Sequence, residues 1–147
     1  MRFNEARKIL AQKIAVDLAL KSLKDEVKQM AISHFKKSFD IEGFNDSPVK
    51  KWKPLKMKRR QPYTNNKILT KTGKLKNSLR GRSYVGSRVW WVDIYSSVEY
   101  ANVHNEGLRS GRGRGFKMPK RQFMGNSRIL DKKIQTRIDN RIKNAIK

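Results

Sequence analysis

The chain has 147 residues, no cysteine, and 36 Lys plus Arg against 12 Asp plus Glu, giving a net charge of +24 and an isoelectric point near 10.8. That length fits a single domain, and the missing thiols exclude disulfides, thiolate metal sites and cysteine nucleophiles. The N-terminus is interrupted by Arg2, Glu5, Arg7, Lys8, Lys13 and Asp17, and nowhere is there an apolar run of about 18 residues, so the expectation is a cytosolic chain without signal peptide or membrane span.

Residues 1–39 read as helical. Between positions 3 and 39 there is neither Gly nor Pro. Leu10, Ile14 and Leu18 recur every four residues, and Leu23, Val27, Met30 and His34 or Phe35 form a second stripe. Ser22 with Asp25 three residues on resembles a capping box, which predicts two consecutive helices, with one bent helix as the alternative. Residues 40–66 are predicted to be an irregular basic loop, because Gly43, Asn45, Asp46, Ser47, Pro48, Pro54 and Pro62 are turn formers or strand breakers. Trp52 and Leu55, its apolar exceptions, are expected to pin the loop to the body or to dock on a neighbour.

Residues 67–125 are assigned to a small sheet and its loops. A short helix opening near Thr72 would carry Leu75 and Leu79 on one face. Tyr84-Val85, Gly86-Ser87 and Arg88–Tyr95 read as a hairpin, with Gly-Ser as its two-residue turn. Trp90, Val92 and Ile94 then share one face, and Val89, Trp91, Asp93 and Tyr95 the other. Both faces are apolar enough to need cover, from helices or from another subunit. Tyr100–Gly107 reads as one or two helical turns closed by the Gly. Residues 107–115, with four glycines and three arginines, read as a mobile loop, and Met118–Gly125 as a compact turn with apolar anchors. In 126–147, Ser127 can cap a final helix on which Leu130, Ile134, Ile138, Ile142 and Ile146 recur every four residues. The fold class expected is therefore α+β in one domain, 1–147: N-terminal helices, a small antiparallel sheet with a central hairpin, and a C-terminal amphipathic helix.

The charge is uneven. Residues 1–42 carry +3, residues 43–125 carry +16 and residues 126–147 carry +5. Lys50, Lys51, Lys53, Lys56, Lys58, Arg59 and Arg60 fall within eleven positions, and Arg109, Arg112 and Arg114 form a second group. Both are candidate polyanion contacts, suited to nucleic acid or to an acidic protein neighbour. Gly111–Gly115 resembles an RGG-type segment, and Trp90-Trp91 suits base stacking, although a strand apolar on both faces more often serves core and interface.

Nothing supports catalysis. His104-Asn105-Glu106 is an H-x-E, but the zinc deaminase chemistry that uses it needs a downstream cysteine pair. His34 reads as a partly buried helix residue. Asp93, Glu99 and Glu106 obey no metal-ligand spacing, Ser78 and Ser87 lack an activating set, and no phosphate-binding glycine motif occurs. No cofactor and no metal are expected.

Four pieces occur in an order that resembles the phage virion morphogenesis family, the Mu-type tail-completion or head–tail joining proteins. Phe39 followed by Trp52-Lys53-Pro54-Leu55 is similar to that family's F…W-x-P-L. Ile68-Leu69 with Thr72-Gly73-Lys74-Leu75-Lys76-Asn77-Ser78-Leu79 is similar to I-L…T-G-x-L-x-x-S-I. Tyr100–Gly107 is similar to Y-A-x-x-H-x-x-G, and Met118–Gly125 to M-P-x-R-x-F-L-G. The resemblance covers roughly residues 35–147. It departs in the basic run after Trp52, in lacking a Pro-x-Gly just before it, and in the Arg/Gly expansion at 107–115; the first 30 residues match only in being helical.

The resemblance implies a non-enzymatic virion component, made in the host cytoplasm and placed at the tail or neck. It implies a ring of copies of itself, commonly a hexamer, with tail tube and neck or connector proteins as partners, contact with DNA left open and no membrane. Trp52, Leu55, Leu75, Trp90, Trp91, Tyr100, His104, Arg121 and Phe123 are the candidate assembly or packing residues. Of these, Tyr100 and His104 are expected beside the sheet with Ala101, Phe123 is expected buried, and Arg121 is expected to hold a carboxylate or carbonyl. A basic nucleic-acid-binding protein using the Lys/Arg loops is the alternative function.

Overall fold

Helix α1 runs unbroken from Phe3 to Asp40. The computed structural model describes residues 3–55, 67–86 and 89–146, so Lys56, Lys58, Arg59 and Arg60 lie outside the described residues. The helix break anticipated at 20–22 is absent. Ser22 does not cap: its hydroxyl donates back to the Ala19 carbonyl at 2.9 Å, and Asp25 pairs with Lys28 at 2.6 Å. Ser at mid-helix can bond the preceding turn as readily as it starts a new one. The helix stops where Glu42 enters the left-handed region, at φ 51°, the conformation that commonly ends a helix.

Strands β1 (Gly43–Phe44) and β2 (Lys50–Lys51) pair antiparallel, so the stretch expected to be irregular holds a short ladder with Pro48 in its connection. The Trp52 amide then donates to the Glu42 carbonyl at 2.8 Å. Helix α2 spans only Lys74–Asn77, and Leu79 opens strand β3 (Leu79–Val85) instead of extending the helix. Both Leu75 and Leu79 are nevertheless buried.

Strand β3 pairs along its whole length with β4 (Trp90–Ser96), from Leu79 opposite Ser96 to Val85 opposite Trp90. At the hairpin's end the Gly86 amide donates to the Val89 carbonyl at 2.7 Å; Ser87, of the expected Gly86-Ser87 turn, lies outside the described residues. This hairpin lies along the second half of α1. Its close approach requires Gly81, because a Cβ there would stand 2.5 Å from the Lys28 side chain and 3.0 Å from Ile94.

Helix α3 (Ala101–Glu106) ends at Gly107 as expected. Within 107–115, expected to be a loop throughout, Arg109–Ser110 form β5, which pairs with β6 (Phe116–Lys117), and 111–115 connect the two. Glycine makes this turn possible, since Gly115 at φ 54° brings its Cα so near Ser110 that a Cβ would lie 2.7 Å from the Ser110 carbonyl oxygen. The sheet content among the described residues is thus three separate two-stranded ladders. Helix α4 (Arg128–Ala145) packs antiparallel along α1, with Glu26 clasped by Arg137 and by Arg141, the latter at 3.0 Å.

The core gathers around the C-terminal half of α1. Ala31, Phe35 and Phe39 are buried there in one cluster with Phe44, Trp52, Leu79, Phe123 and Leu130, and Leu23 and Val27 are buried earlier on the same helix. Phe39 stands edge-on to Trp52 at 5.6 Å and tilted on Phe123 at 5.1 Å between ring centres. On α4 the every-four stripe is used progressively less: Leu130 is buried, Ile134 packs on the core, and Ile146 is exposed.

Candidate assembly surfaces

Among the described residues, two groups of large apolar side chains stand out as exposed. The first is the N-terminal half of α1, where Leu10, Ile14 and Leu18 are 57%, 52% and 62% exposed. They project on one face because their spacing of four nearly matches the helical turn. The second is the outer face of the β3–β4 hairpin. Strand β4 alternates strictly, with Trp90, Val92 and Ile94 turned partly inward while Trp91, Asp93 and Tyr95 are exposed. Tyr84 and Trp91 stack with ring centres 4.5 Å apart, and the Arg82 guanidinium sits 4.7 Å over the Tyr95 ring while reaching Asp93 at 3.4 Å. Of the two covers expected for this hairpin, α1 supplies the inner one; among the described residues nothing covers Trp91, Tyr84 and Val89. Between the hairpin and α4 lies an open groove of about 450 Å³ lined by Val27, Ala31, Phe35, Trp90, Ile94 and Leu130.

The remaining candidate residues form a second constellation around α3 and the Met118–Gly125 turn. Trp52 is buried and its indole N–H donates to the Gln122 carbonyl at 2.7 Å, so it pins the loop, whereas Leu55 is exposed. Phe123 is fully buried. Tyr100 stands half-exposed at the start of α3, edge-on to His104 at 5.9 Å. The Arg121 amide donates to the His104 carbonyl at 2.8 Å, and the Arg121 guanidinium is buried with a carbonyl as its partner, that of Lys53.

Asn105, which drew no attention in the sequence, organises this turn. Its side-chain oxygen accepts the amides of Phe123 and Met124 at 2.9 and 3.0 Å. A signal existed: Asn105 is four residues from Ala101, the buried alanine of the same helix, and so faces inward. Asn45 and Asp46, turn formers by residue type, are both buried. The Ser127 hydroxyl caps α4, accepting from the Leu130 amide, and donates to the Asn45 carbonyl at 3.1 Å. Its donated proton fixes the rest: His34 Nε2–H donates to Ser127 at 3.0 Å, and Nδ1 accepts from the Asn45 side-chain Nδ2 at 3.2 Å.

Burial pushes the pKa of His34 down, and burial together with the Arg121 charge does the same to His104. Folding therefore favours the neutral imidazoles, while the unfolded chain takes up protons near the ordinary value of about 6.5. Stability from this source is complete above that pH and declines as pH falls, by at most about 1.4 kcal/mol per histidine for each pH unit. Urea unfolding at pH 7.5 and 5.5 is expected to show the loss, before the carboxylates titrate. His34→Gln should flatten it; an unaltered slope would remove His34 from the account.

The exposed candidate cations divide between two hairpins: Lys50 and Lys51 on β2 with Lys53 just beyond, and Arg109, Arg112 and Arg114 on or beside β5–β6. Among the described residues no group of three His, Asp or Glu converges as a metal site, and His104 with Glu106 serves packing and an ion pair to Lys120 at 3.1 Å. No described helix is long and apolar enough to cross a membrane.

No curated protein and no solved structure matches this chain. The profile of the phage virion morphogenesis family matches residues 4–143, which takes in the N-terminal helix as well as the four motifs. The chain therefore belongs to the phage virion morphogenesis family, and its role is that of a phage structural or assembly protein.

Proposed function

We propose that this protein completes the tail or joins head and tail as one subunit of a ring, built from copies of itself and docked on tail tube and neck or connector proteins. One observation carries the reading: two uncovered apolar surfaces, the α1 stripe and the outer hairpin face, on different elements of one chain. A surface that meets a different surface on the next copy forms a head-to-tail contact, and such contacts generate rings when the rotation closes. The Leu10, Ile14 and Leu18 stripe of one subunit lies on the Tyr84, Val89 and Trp91 face of the next. Site residues buried inside the fold, such as Phe123 and Leu75, support that surface without entering the contact.

Native mass spectrometry of the purified chain, alone and with tails that await completion, tests the proposal. The parent is expected to form a discrete closed oligomer and to complete tails. Ile14→Glu and Trp91→Glu, both at exposed positions, should each melt close to the parent yet fail to close the ring. Mixed together they should give a pair and nothing larger, because each retains one intact half of the contact. A parent that stays monomeric in both settings and never joins tail or neck proteins would sink the reading.

A further inference from the structure

One edge of the hairpin, that of β4, opens onto the groove between the hairpin and α4. At one end of the ladder the Gly86 amide bonds the Val89 carbonyl, and at the other the Ser97 amide bonds the Ser78 carbonyl. Bonded and non-bonded pairs alternate in an antiparallel ladder. With Leu79 opposite Ser96, the β4 residues that bond to β3 are therefore Trp91, Asp93 and Tyr95. Trp90, Val92 and Ile94 turn their backbone N–H and C=O groups the other way. Among the described residues these groups meet no further strand, because the sheet has only β3 and β4, and no backbone partner from a turn or loop.

An open edge is ordinarily guarded by charge, proline or a bulge. Strand β3 carries Arg80 and Arg82, whereas β4 has no proline and its single charge, Asp93, stands on the outer face. Trp90, Trp91 and Val92 line the groove in succession, as the edge of a strand does and one face of a strand does not. The rest of the lining is apolar, with Ala31 and Phe35 from α1 and Leu130 and Ile134 from α4. Asp131 is the only charged side chain in that lining, and it pairs with no cation among the described residues.

We propose that this edge and groove receive an extended segment of a partner protein as a third strand, with an apolar side chain at every second position and a basic residue for Asp131. Main-chain bonds to Trp90, Val92 and Ile94 supply affinity, and the alternate side chains in the groove supply register. No described strand of a second copy fits. Strands β3 and β4 already lay their inner faces on their own α1, and the other four strands have two residues each. Duplex DNA has no amide ladder to offer, and its phosphates would meet Asp131. The strand site does not rest on ring closure.

The test uses the full ¹⁵N-labelled chain at pH 7 and a synthetic peptide, acetyl-Lys-Val-Thr-Val-Thr-Val-Lys-amide. Saturable binding is expected, with a dissociation constant on the order of 100 μM. In the complex, amide exchange should slow about tenfold at Trp90, Val92 and Ile94, and less at Trp91, Asp93 and Tyr95, which the ladder already protects. Two further peptides are N-methylated, one at its valines and one at its threonines. One of them should bind at least about tenfold more weakly and the other within about threefold of the parent peptide, because only alternate amides face β4. Val92→Pro removes a donor that β3 does not use, so it should melt within about 5 °C of the parent and lose the peptide. If that variant does not fold, the methylated peptides decide on the parent chain. Ile14→Glu, blocked in ring closure, should bind the peptide as the parent does, so failed assembly with intact binding counts against the ring alone. Absence of saturable binding, protection without the two-residue alternation, or methylated peptides that both bind or both fail would overturn the proposal. So would a peptide with Glu in place of Lys, or a DNA duplex, binding the same residues as tightly. Protection at Trp90, Val92 and Ile94 that grows with protein concentration in the absence of peptide would give the edge to a second copy and likewise overturn it.

Discussion

Phe123→Ala is expected to destabilise the protein by about 3–5 kcal/mol, the range for removing a buried aromatic ring from a core that cannot collapse around the gap. Phe123 has no exposed surface, and its ring packs on Phe39, which in turn meets Trp52. One cavity would therefore loosen α1, the Trp52 segment and the turn leading into α4 together. Against a total stability of roughly 5–15 kcal/mol, that is a large fraction. For a chain of this length the thermal midpoint should fall by roughly 10–15 °C. Urea unfolding with an unchanged m-value would show that the native state lost stability without a change in compactness. A loss under about 1 kcal/mol would mean that this aromatic cluster is not the centre of the core.

Asn105→Leu should cost about 2–6 kcal/mol by a different route. The replacement is apolar and similar in size, so packing is roughly kept, but the amides of Phe123 and Met124 lose their acceptor. Each buried donor left without a partner costs about 1–3 kcal/mol. Amide hydrogen exchange gives the specific readout: exchange at Phe123 and Met124 should accelerate more than at β3 or β4. Asn102→Leu, at an exposed position on the same helix, serves as control and should stay within about 0.5 kcal/mol. Equal effects at the two positions would show that the cost comes from α3 itself rather than from the two amides.

These two residues illustrate how differently the sequence discloses its contents. Phe123 is apolar within a polar stretch, and apolar anchors announce themselves. Asn105 is polar in a polar helix, and its importance depends on a turn 18 residues away folding back to present two amides. The unequal charge distribution was visible from the start, but its placement on separate hairpins was not.

Local chemistry was enough where a segment's own period or punctuation decides its state. Helix α4 is legible from Ser127 and the every-four stripe, α3 from its closing Gly107, and the β4 faces from alternation. The α+β class and the family follow from such elements taken in order. Local chemistry was insufficient where two conformations were nearly equivalent. Ser22 could start a helix or bond backward within one, and the continuous α1 chose the latter. Leu79 could extend α2 or open β3; pairing with Ser96 and the close approach of Gly81 to α1 made it strand. Residues 107–115 read as a loop, and the strand Arg109–Ser110 within them escapes notice because its ladder with Phe116–Lys117 has only two residue pairs and depends on glycines for its turn.

The sequence by itself determined the helical ends, the apolar anchors, the absence of cysteine chemistry and the excess of positive charge, all of which are properties of residues and their spacing. Only the tertiary structure decided which apolar stripes are consumed by the core and which remain outside, since Leu10 and Leu23 lie on the same helix and differ only in what folds against them. It also decided that Arg121 is buried beside a histidine and away from every carboxylate among the described residues, because burial and counter-charge are relations between distant segments rather than properties of any one of them.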